Sequence, residues 1–258
     1  MIPFKLEKVK SLFVILIFFI VWEAVTRLGI VDSMLLPSFS EVLVSTWQLF
    51  AEGVLWPHLS LSLVRAAAGF AIAVVIAIPL GILMGGLSKN VQMATEPVVE
   101  LFSQVNPFIL YHLILIFMGI GEWTKITIIA WTCIWPLLFS TISGVYHIDA
   151  AHIKSAKTFQ LNRWQMAVKV LLPGAVPQIM YGVRLSASYS FFMLIAAEMM
   201  GAESGLGFFI ILSQRYYKIT WVYAAVLMIT VLGVLMDWVI TMVERKFLRA
   251  YVQEEVND

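Results

Sequence analysis

The sequence has few charged residues and a single cysteine. Charged residues make up 13% of its 258 residues and hydrophobic residues 61%, whereas a soluble domain is about a quarter charged. This excess of apolar residues is too large for the core of a soluble domain. Cys133 lies in an apolar run and has no partner for an intrachain disulfide. The formal net charge of +1 also argues against the dense basic face that nucleic-acid binding needs.

Sequence patterns for catalysis and for nucleotide binding are absent as well. The chain contains no G-x-x-x-x-G-K-[ST] phosphate loop, no G-x-S-x-G elbow and no H-E-x-x-H pattern. Its histidines are too scattered to suggest a metal site; they are His58, His112, His147 and His152. We therefore predict that the chain is not an enzyme and binds no cofactor or metal, and that any ATP is hydrolysed by another chain.

Long apolar runs are abundant. One bilayer crossing takes about 20 helical residues, and a membrane barrel would show short alternating segments instead. The sequence therefore predicts an all-α polytopic membrane protein with about six transmembrane helices, in a single transmembrane domain of residues 1–258. The predicted spans are residues 12–28, 66–87, 108–120, 126–145, 183–200 and 222–243.

Two of these spans leave alternatives open. The first follows Lys5, Lys8 and Lys10 and resembles a signal peptide, but no small-residue cleavage site follows it, which favours a retained helix. The third is short and is preceded by Pro97 and Pro107. It either extends back through residues 98–105 or is a broken helix of the type that lines a cavity in transporters.

The placement of Lys and Arg predicts the orientation. Apart from Arg184, most of these residues fall in alternate segments that include the N-terminus, which is typical of cytoplasmic segments. We therefore expect both termini to be cytoplasmic, with a multi-pass chain between them. The cytoplasmic parts would be residues 1–11, 147–173 and 244–258, and residues 29–62 would be extracytoplasmic.

The polar segment of residues 147–173 carries helix start and stop signals. Asp149 can cap one helix, and Asn162 can end it or cap a second helix. Leu172-Pro173 and Pro177 then mark the return to the membrane. A short helix–turn–helix is expected, which either docks another protein or rests on lipid headgroups through Trp164.

Family-like motifs occur in this segment and along nearly the whole chain. The run from Ala156 to Gln165, AKTFQLNRWQ, after Asp149 and before Val170-Leu171-Leu172-Pro173, resembles the EAA loop of binding-protein-dependent ABC importer permeases. The chain is most similar to permeases for nitrate, taurine, aliphatic sulfonates and bicarbonate. The other shared motifs include Leu36-Pro37-Ser38, Trp56-Pro57-His58, Ser62-Leu63-x-Arg65, Gly121-Glu122 with Lys125, Ala197-Glu198-Met199 and Ser204-Gly205-Leu206-Gly207.

The resemblance implies a type I ABC importer permease fold in a bacterial or archaeal inner membrane. It implies a permease that moves a small solute inward by alternating access, with an anion such as a sulfonate, nitrate or bicarbonate as cargo. The implied partners are ABC ATPase subunits that bind ATP and Mg²⁺, a second permease as homodimer or heterodimer, and an extracytoplasmic solute-binding protein or lipoprotein. Membrane lipid surrounds the chain, and no nucleic acid is expected.

The resemblance also implies a coupling helix that sits in a cleft of the ATPase. Its residues would be Lys154, Ser155, Ala156, Lys157, Thr158, Phe159, Gln160, Leu161, Asn162 and Arg163, with Phe159 or Leu161 as the apolar knob. Where the family usually has glutamate this chain has Lys154, and Gln160 replaces a usual glycine. These departures keep open the alternative of a degenerate or structural partner in a heteromeric complex. A secondary transporter is a second alternative; it would need no coupling helix, but would more often show paired carboxylates in the membrane.

Polar residues within the spans are candidates for the translocation pathway, because ionisable side chains in a membrane are costly. The candidates are Asn106, Tyr111, His112, Met193 and Glu198. Glu198 could gate the outer mouth, pair with Arg215, or be an interfacial carboxylate in contact with water. Tyr111 and His112 could instead bridge helices. For Arg184 we expect a structural contact to loop carbonyls or headgroups, and for Gly81, Gly85 and Gly86 close helix packing.

Overall fold

The computed structural model describes residues 4–86 and 89–257, with side chains given for these except 4–12, 89–92, 157 and 246–257. All regular structure in the described residues is helical, which confirms the predicted all-α fold. The helices are α1 Phe4–Arg27, α2 Phe39–Ala51, α3 Leu55–Gly85, α4 Lys89–Ser103, α5 Pro107–Met118, α6 Glu122–Tyr146, α7 Ala150–Thr158, α8 Arg163–Met166, α9 Leu172–Gly201, α10 Leu206–Arg215 and α11 Ile219–Asn257. A π-helical turn, Ala167–Leu171, joins α8 to α9.

Within the described residues, four helical segments are long and apolar enough to cross a membrane. They are α3, α6, the continuous segment Arg163–Gly201, and the Ile219–Arg245 part of α11. The α4–α5 pair makes a fifth crossing if it is counted as one span. The first predicted span, residues 12–28, coincides with α1, but the Leu12 side chain lies outside the described residues.

The third predicted span is broken. Met93–Ser103 and Pro107–Met118 meet at 80°. Asn106 starts the second helix by accepting the Phe108 N–H on its side-chain oxygen at 2.9 Å, and Pro107 fits the first turn, where no N–H donor is needed. The structure therefore has the broken helix rather than the extended one.

Three helices, α3, α6 and α9, form the centre of the molecule and pack at glycines. A Cβ built on Gly81 would lie 2.5 Å from the Thr141 Cβ, and one on Gly85 would lie 2.7 Å from the Val145 Cβ. A Cβ on Gly86 would lie 3.1 Å from the Leu171 Cδ1. The predicted role of these three glycines in close packing is confirmed. The residue numbers at these contacts rise together along α3 and α6, so the two helices are parallel. Along α6 and α9 they change in opposite directions, so α9 is antiparallel to both.

Two helices begin before the predicted spans. The helix α3 begins at Leu55 and α9 at Leu172, whereas the predicted spans begin at residues 66 and 183. Pro173 lies in the first turn of α9, where the return to the membrane was predicted, and Pro177 lies inside the helix. A first-turn proline lacks only a donor that the helix would leave unpaired. The short apolar helix α10 was not predicted, since its 10 residues are too few for a span.

Candidate functional site

A cluster of four ionisable side chains lies where α3 and α6 begin and α9 ends. This charge cluster consists of Arg65, Glu122, Lys125 and Glu198. Arg65 and Glu198 are both 1% exposed. Lys125 is also buried, whereas the Glu122 side chain is 49% exposed. The two cations and two carboxylates balance each other, which offsets the cost of removing the three buried charges from water.

Arg65 is at the centre of the charge cluster. Its Nε donates to Glu122 Oε2 at 2.5 Å and its Nη2 to Glu122 Oε1 at 2.7 Å, in a two-pronged contact. Its Nη1 donates to Glu198 Oε1 at 2.7 Å and to the Ser204 carbonyl at 2.7 Å. Lys125 Nζ adds a contact to Glu122 Oε1 at 3.0 Å. The planar guanidinium thus joins α3 to both α6 and α9.

Glu198 has hydrogen-bond donors at both carboxylate oxygens. The Ser62 hydroxyl lies 2.8 Å from Oε1 and 2.9 Å from Oε2. The Gly207 N–H donates to Oε2 at 3.0 Å. A carboxylate with this many donors is stable as a buried anion.

The loop between α9 and α10 is shaped around this carboxylate. Gly205 has φ +115°, and a Cβ there would lie 2.2–2.5 Å from the carboxylate atoms of Glu198. The Gly205 N–H donates to His58 Nδ1 at 3.0 Å, and the Leu206 N–H donates to Ser62 Oγ at 3.0 Å. Only glycine fits this position. Motifs that are far apart in the sequence therefore meet at one end of the bundle.

Two charged residues within the predicted spans, Glu198 and Arg184, have partners other than those expected from the sequence. Glu198 pairs with Arg65, not with the exposed Arg215, and it is buried rather than an interfacial carboxylate in water. Sequence reasoning missed Arg65 because it lies 133 positions from Glu198, whereas Arg215 follows Glu198 closely along the chain. Arg184 pairs with Asp237 of α11 at 3.0 Å, so its contact is structural but is not to loop carbonyls or headgroups.

The residues predicted to line the translocation pathway do not form one cluster. Tyr111 and Met193 are buried together between α5, α6 and α9, one turn or more along α9 from Glu198. His112 is exposed, and its Nδ1 lies 2.8 Å from the Phe108 carbonyl of its own helix. Asn106 is exposed and caps α5. The structure thus brings Tyr111 and Met193 together, but not Asn106 or His112 with them.

At the opposite end of the bundle, α7 and α8 form the predicted helix–turn–helix, here named the coupling element (residues 149–166). The Asp149 carboxylate accepts the Ala151 N–H at 2.9 Å and caps α7. Asn162 caps α8 in a reciprocal pair with Gln165, at 2.8 and 3.0 Å. Both sequence-predicted caps are confirmed.

The turn inside the coupling element has the geometry of a glycine-type helix end. Gln160 has φ +49°, and the Leu161 N–H donates to the Ala156 carbonyl at 3.4 Å. Leu161 is the second residue after Phe159, the C-cap residue of α7, and a bond from this position is the Schellman pattern, in which glycine usually takes the left-handed position. Gln160 therefore adopts the glycine conformation in spite of its side chain.

The coupling element presents aromatic side chains to its surroundings. Phe159 is 79% exposed and Trp164 is 76% exposed, whereas Leu161 is half-buried and Ala156 is buried. Of the two expected apolar knobs, Phe159 is therefore the exposed one. The other predicted coupling residues with a described side chain are also exposed: Lys154, Ser155, Thr158, Gln160, Asn162 and Arg163. The Lys157 side chain lies outside the described residues.

Comparison with known protein families identifies the chain. A family described as binding-protein-dependent transport system inner membrane component matches residues 77–249, a range that includes the coupling element and most of the central helices. The chain belongs to this family. It is a multi-pass membrane permease subunit of a binding-protein-dependent ABC importer, and ATP hydrolysis is done by separate ATPase chains.

Two similar proteins match this permease over almost its full length. A Bacillus subtilis (strain 168) protein, SsuC, named for transport of aliphatic sulfonates, is 30% identical over 93% of this chain and 87% of its own length. The taurine transport system permease protein TauC of Escherichia coli (strain K12) is 30% identical, over 95% of this chain and 90% of its own. The family resemblance expected from the motifs is thereby confirmed.

A solved structure shows the same fold. The permease of the MetNI methionine ABC transporter, in an inward-facing conformation, superposes with a TM-score of 0.63 at 18% identity, over 75% of this chain and 94% of that chain. This likeness concerns the fold, which is that of a type I importer permease.

Proposed function

We propose that this permease imports a small anion, driven by ATPase subunits that dock on the coupling element. It works beside a second permease subunit and receives its cargo from an extracytoplasmic solute-binding protein. The two relatives are named for aliphatic sulfonates and for taurine, which both carry a negatively charged sulfonate group, and this supports a cargo with an anionic group. Nitrate and bicarbonate belong to the same range of small anions.

The observation that carries this proposal is the exposed aromatic surface on a firmly capped coupling element. Both of its helices are capped by side chains, so that Phe159 is held out from a defined backbone. An exposed aromatic with a polar rim is the type of contact that anchors a protein interface. The rim is provided here by Lys154 and Arg163.

A continuous helical segment links this element to the other end of the molecule. The 39 residues from Arg163 to Gly201 run without a break and contain Glu198 near their far end. A displacement of α8 is therefore carried along α9 rather than absorbed in a loop. This supports a mechanism in which closure of the ATPase subunits reorients the spans and alternates access.

The two positions at which this chain departs from the family pattern, Gln160 and Lys154, are compatible with the same mechanism. Gln160 already has the left-handed backbone that glycine provides in relatives, so the turn does not depend on glycine. Lys154 is exposed and offers a positive charge where the family usually offers a negative one. The matching ATPase is then expected to have an acidic residue at the facing position.

Replacing Phe159 tests the proposal. Phe159→Asp should abolish co-purification with the ATPase subunit, because a carboxylate would replace the apolar anchor. Tyr217→Asp is the matched control, since Tyr217 is 88% exposed in the turn before α11, at the opposite end of the bundle. The proposal would be wrong if Phe159→Asp bound the ATPase as tightly as Tyr217→Asp does.

The charge reversal is tested by Lys154→Glu. If an acidic residue faces Lys154, the variant binds its own ATPase more weakly, and an acidic-to-basic change in the ATPase restores binding. Unchanged affinity of the single variant would show that Lys154 faces only solvent or lipid headgroups.

A further inference from the structure

The turn between α10 and α11 presents two exposed tyrosines at the end of the bundle opposite the coupling element. Every residue from Gln214 to Lys218 is exposed, and this stretch is here named the tyrosine turn (residues 214–218). Tyr216 is 66% exposed and Tyr217 is 88% exposed. Large aromatic side chains at such exposure are available to a partner.

The backbone of the tyrosine turn holds these side chains in a defined direction. Tyr217 has φ +54°. The Lys218 N–H donates to the Ser213 carbonyl at 2.9 Å, and the Tyr217 N–H donates to the Gln214 carbonyl at 3.0 Å. These two bonds form the Schellman pattern, in which glycine usually takes the position of Tyr217. Among the described residues, the other non-glycine residue with a positive φ is Gln160 of the coupling element.

The strained backbone favours a protein partner over lipid. Glycine would form the same turn without the steric penalty of a side chain, and strain of this kind is concentrated at binding and switch sites. Lipid headgroups are fluid and accept an aromatic ring in many orientations. A folded protein has a fixed surface, so a ring held in one direction lowers the ordering cost of binding it.

The charge of the tyrosine turn is positive. Arg215 and Lys218 flank the two tyrosines, and the sequence has no Asp or Glu between Glu203 and Asp237. Neither cation forms an ion pair with a residue that the structure describes. Lys218 Nζ lies 3.5 Å from the centre of the Trp221 ring, which fixes its position. Both charges suit the negative end of the α10 dipole, but that interaction needs no exposed aromatic. The surface therefore fits an acidic partner.

The tyrosine turn extends beyond the charge cluster. The helices α9 and α11 are antiparallel, and their Arg184–Asp237 pair marks a common level. A rise of 1.5 Å per residue places Glu198 about 21 Å from Arg184 along α9, and Ile219 about 27 Å from Asp237 along α11. The start of α11 is therefore about 6 Å farther from the coupling element than Glu198 is. A protein that approaches this end of the bundle can reach the turn.

We propose that the tyrosine turn is a docking surface for the solute-binding protein, with Tyr217 as the anchor and an acidic patch of that protein facing Arg215 and Lys218. The inference rests on the proposed function, which puts the coupling element on the cytosolic side and the turn outside. Tyrosine and arginine are enriched among the residues that dominate protein interfaces. Charges at the rim of an interface speed the encounter of the partners.

Removing the Tyr217 side chain tests the anchor and leaves the turn intact. The complete transporter is placed in nanodiscs of phosphatidylcholine, and its own solute-binding protein, fluorescently labelled, is titrated by anisotropy. Tyr217→Gly should weaken binding at least tenfold, which corresponds to about 1.4 kcal/mol. Its thermal unfolding midpoint should not fall, because glycine suits a positive φ. Trp123→Ala, at a 67% exposed aromatic at the start of α6, should leave the affinity unchanged.

The charge of the surface is tested by Arg215→Gln. This variant should slow association with the solute-binding protein several-fold at low ionic strength and have little effect at high salt, because salt screens exposed charges. Arg27→Gln removes an exposed cation that is already paired with Glu23, and it should leave the association rate unchanged. An Arg215→Gln variant that associates like the wild type at low ionic strength would contradict an acidic partner surface.

Tyr217→Cys distinguishes a protein partner from lipid headgroups. The native Cys133 is fully buried and contributes little background. Solute-binding protein, at a concentration that saturates this variant, should slow maleimide labelling of the new thiol at least several-fold. Replacing phosphatidylcholine with phosphatidylglycerol should not. Slowing by phosphatidylglycerol alone would assign the turn to anionic lipid headgroups and overturn the docking surface.

The outcomes separate this inference from the proposed function. Solute-binding protein that binds the wild type and Tyr217→Gly equally well overturns the docking surface but leaves import and ATPase docking intact. Equal weakening by Trp123→Ala and Tyr217→Gly also overturns the assignment to this turn. A wild-type transporter that binds no solute-binding protein, and whose Phe159→Asp variant retains its ATPase, overturns both.

Discussion

Arg65 Nη1 and Glu198 Oε1 lie 2.7 Å apart although the residues are 133 positions apart in the sequence and both are buried. Removing Glu198 leaves the buried Arg65 paired with Glu122 alone, so we expect a cost of about 3 kcal/mol, the lower end of the range for breaking a buried pair. We therefore expect Glu198→Gln to lower the thermal unfolding midpoint of the purified permease strongly. Arg27→Gln, which breaks the exposed Arg27–Glu23 pair, should cost less than about 1 kcal/mol. Similar midpoints for the two variants would show that the charge cluster does not hold the helices together.

Gly205→Ala should be severely destabilising. The added Cβ would collide with the Glu198 carboxylate, and φ +115° is unfavourable for alanine. Displacing that carboxylate from Arg65 costs about 3 kcal/mol or more. Gly53→Ala is the control, because Gly53 also has a positive φ of +77° but has nothing within 4 Å of a built Cβ; it should cost about 1 kcal/mol. Thermal unfolding compares the two, and a control as damaging as Gly205→Ala would assign the effect to φ alone.

Gly81→Ala should separate helices α3 and α6. Its Cβ would lie 2.5 Å from the Thr141 Cβ, and overpacking of this kind costs about 1–3 kcal/mol. Gly233→Ala in α11 meets nothing closer than 3.8 Å and should be neutral or slightly stabilising, because alanine favours helix. The yield of monodisperse permease after heating measures both variants. Close packing at Gly81 is not required if the two behave alike.

Gln160→Gly should stabilise the turn of the coupling element by up to about 1 kcal/mol, because glycine adopts a positive φ without the penalty of a side chain. Hydrogen exchange of the peptide that contains the Leu161 N–H should become slower. The same replacement at Gln214, in the helical backbone of α10, should cost about 1 kcal/mol. Faster exchange at Leu161 in the Gln160→Gly variant would contradict the left-handed backbone at this position.

The predicted orientation can be tested with single cysteines in a Cys133→Ser background. With both termini cytoplasmic, Tyr217→Cys should react with a membrane-impermeant maleimide in intact cells, and Phe159→Cys should react only after the membrane is opened. The reverse pattern would place the coupling element outside, where no cytosolic ATPase could reach it.

The apolar runs and the caps of the coupling element could be predicted because their signals are local. Asp149 and Asn162 act on N–H groups two or three residues away, and an apolar run of span length needs no knowledge of its neighbours. Pro173 lies where the return to the membrane was predicted, in the first turn of α9, whereas Pro177 lies inside that helix, because a proline pattern alone does not show whether a residue starts a helix or bends one.

The charge cluster could not be predicted from local signals. Its central pair joins two helices that are distant in sequence, and several basic residues were equally available to Glu198. The motifs around Ser62, Glu122 and Ser204 did mark the correct residues, but only the fold shows that they meet.

The charge cluster also sets an order of events during synthesis. At about 5–20 residues per second, the ribosome needs roughly 7–27 s to translate the stretch between Arg65 and Glu198. Throughout that interval the nascent α3 has only Glu122, once α6 has emerged, to neutralise its guanidinium. A chain that stalls before α9 therefore keeps a guanidinium that lacks one of its two carboxylate partners, and α3 is not yet tied to the last part of the bundle.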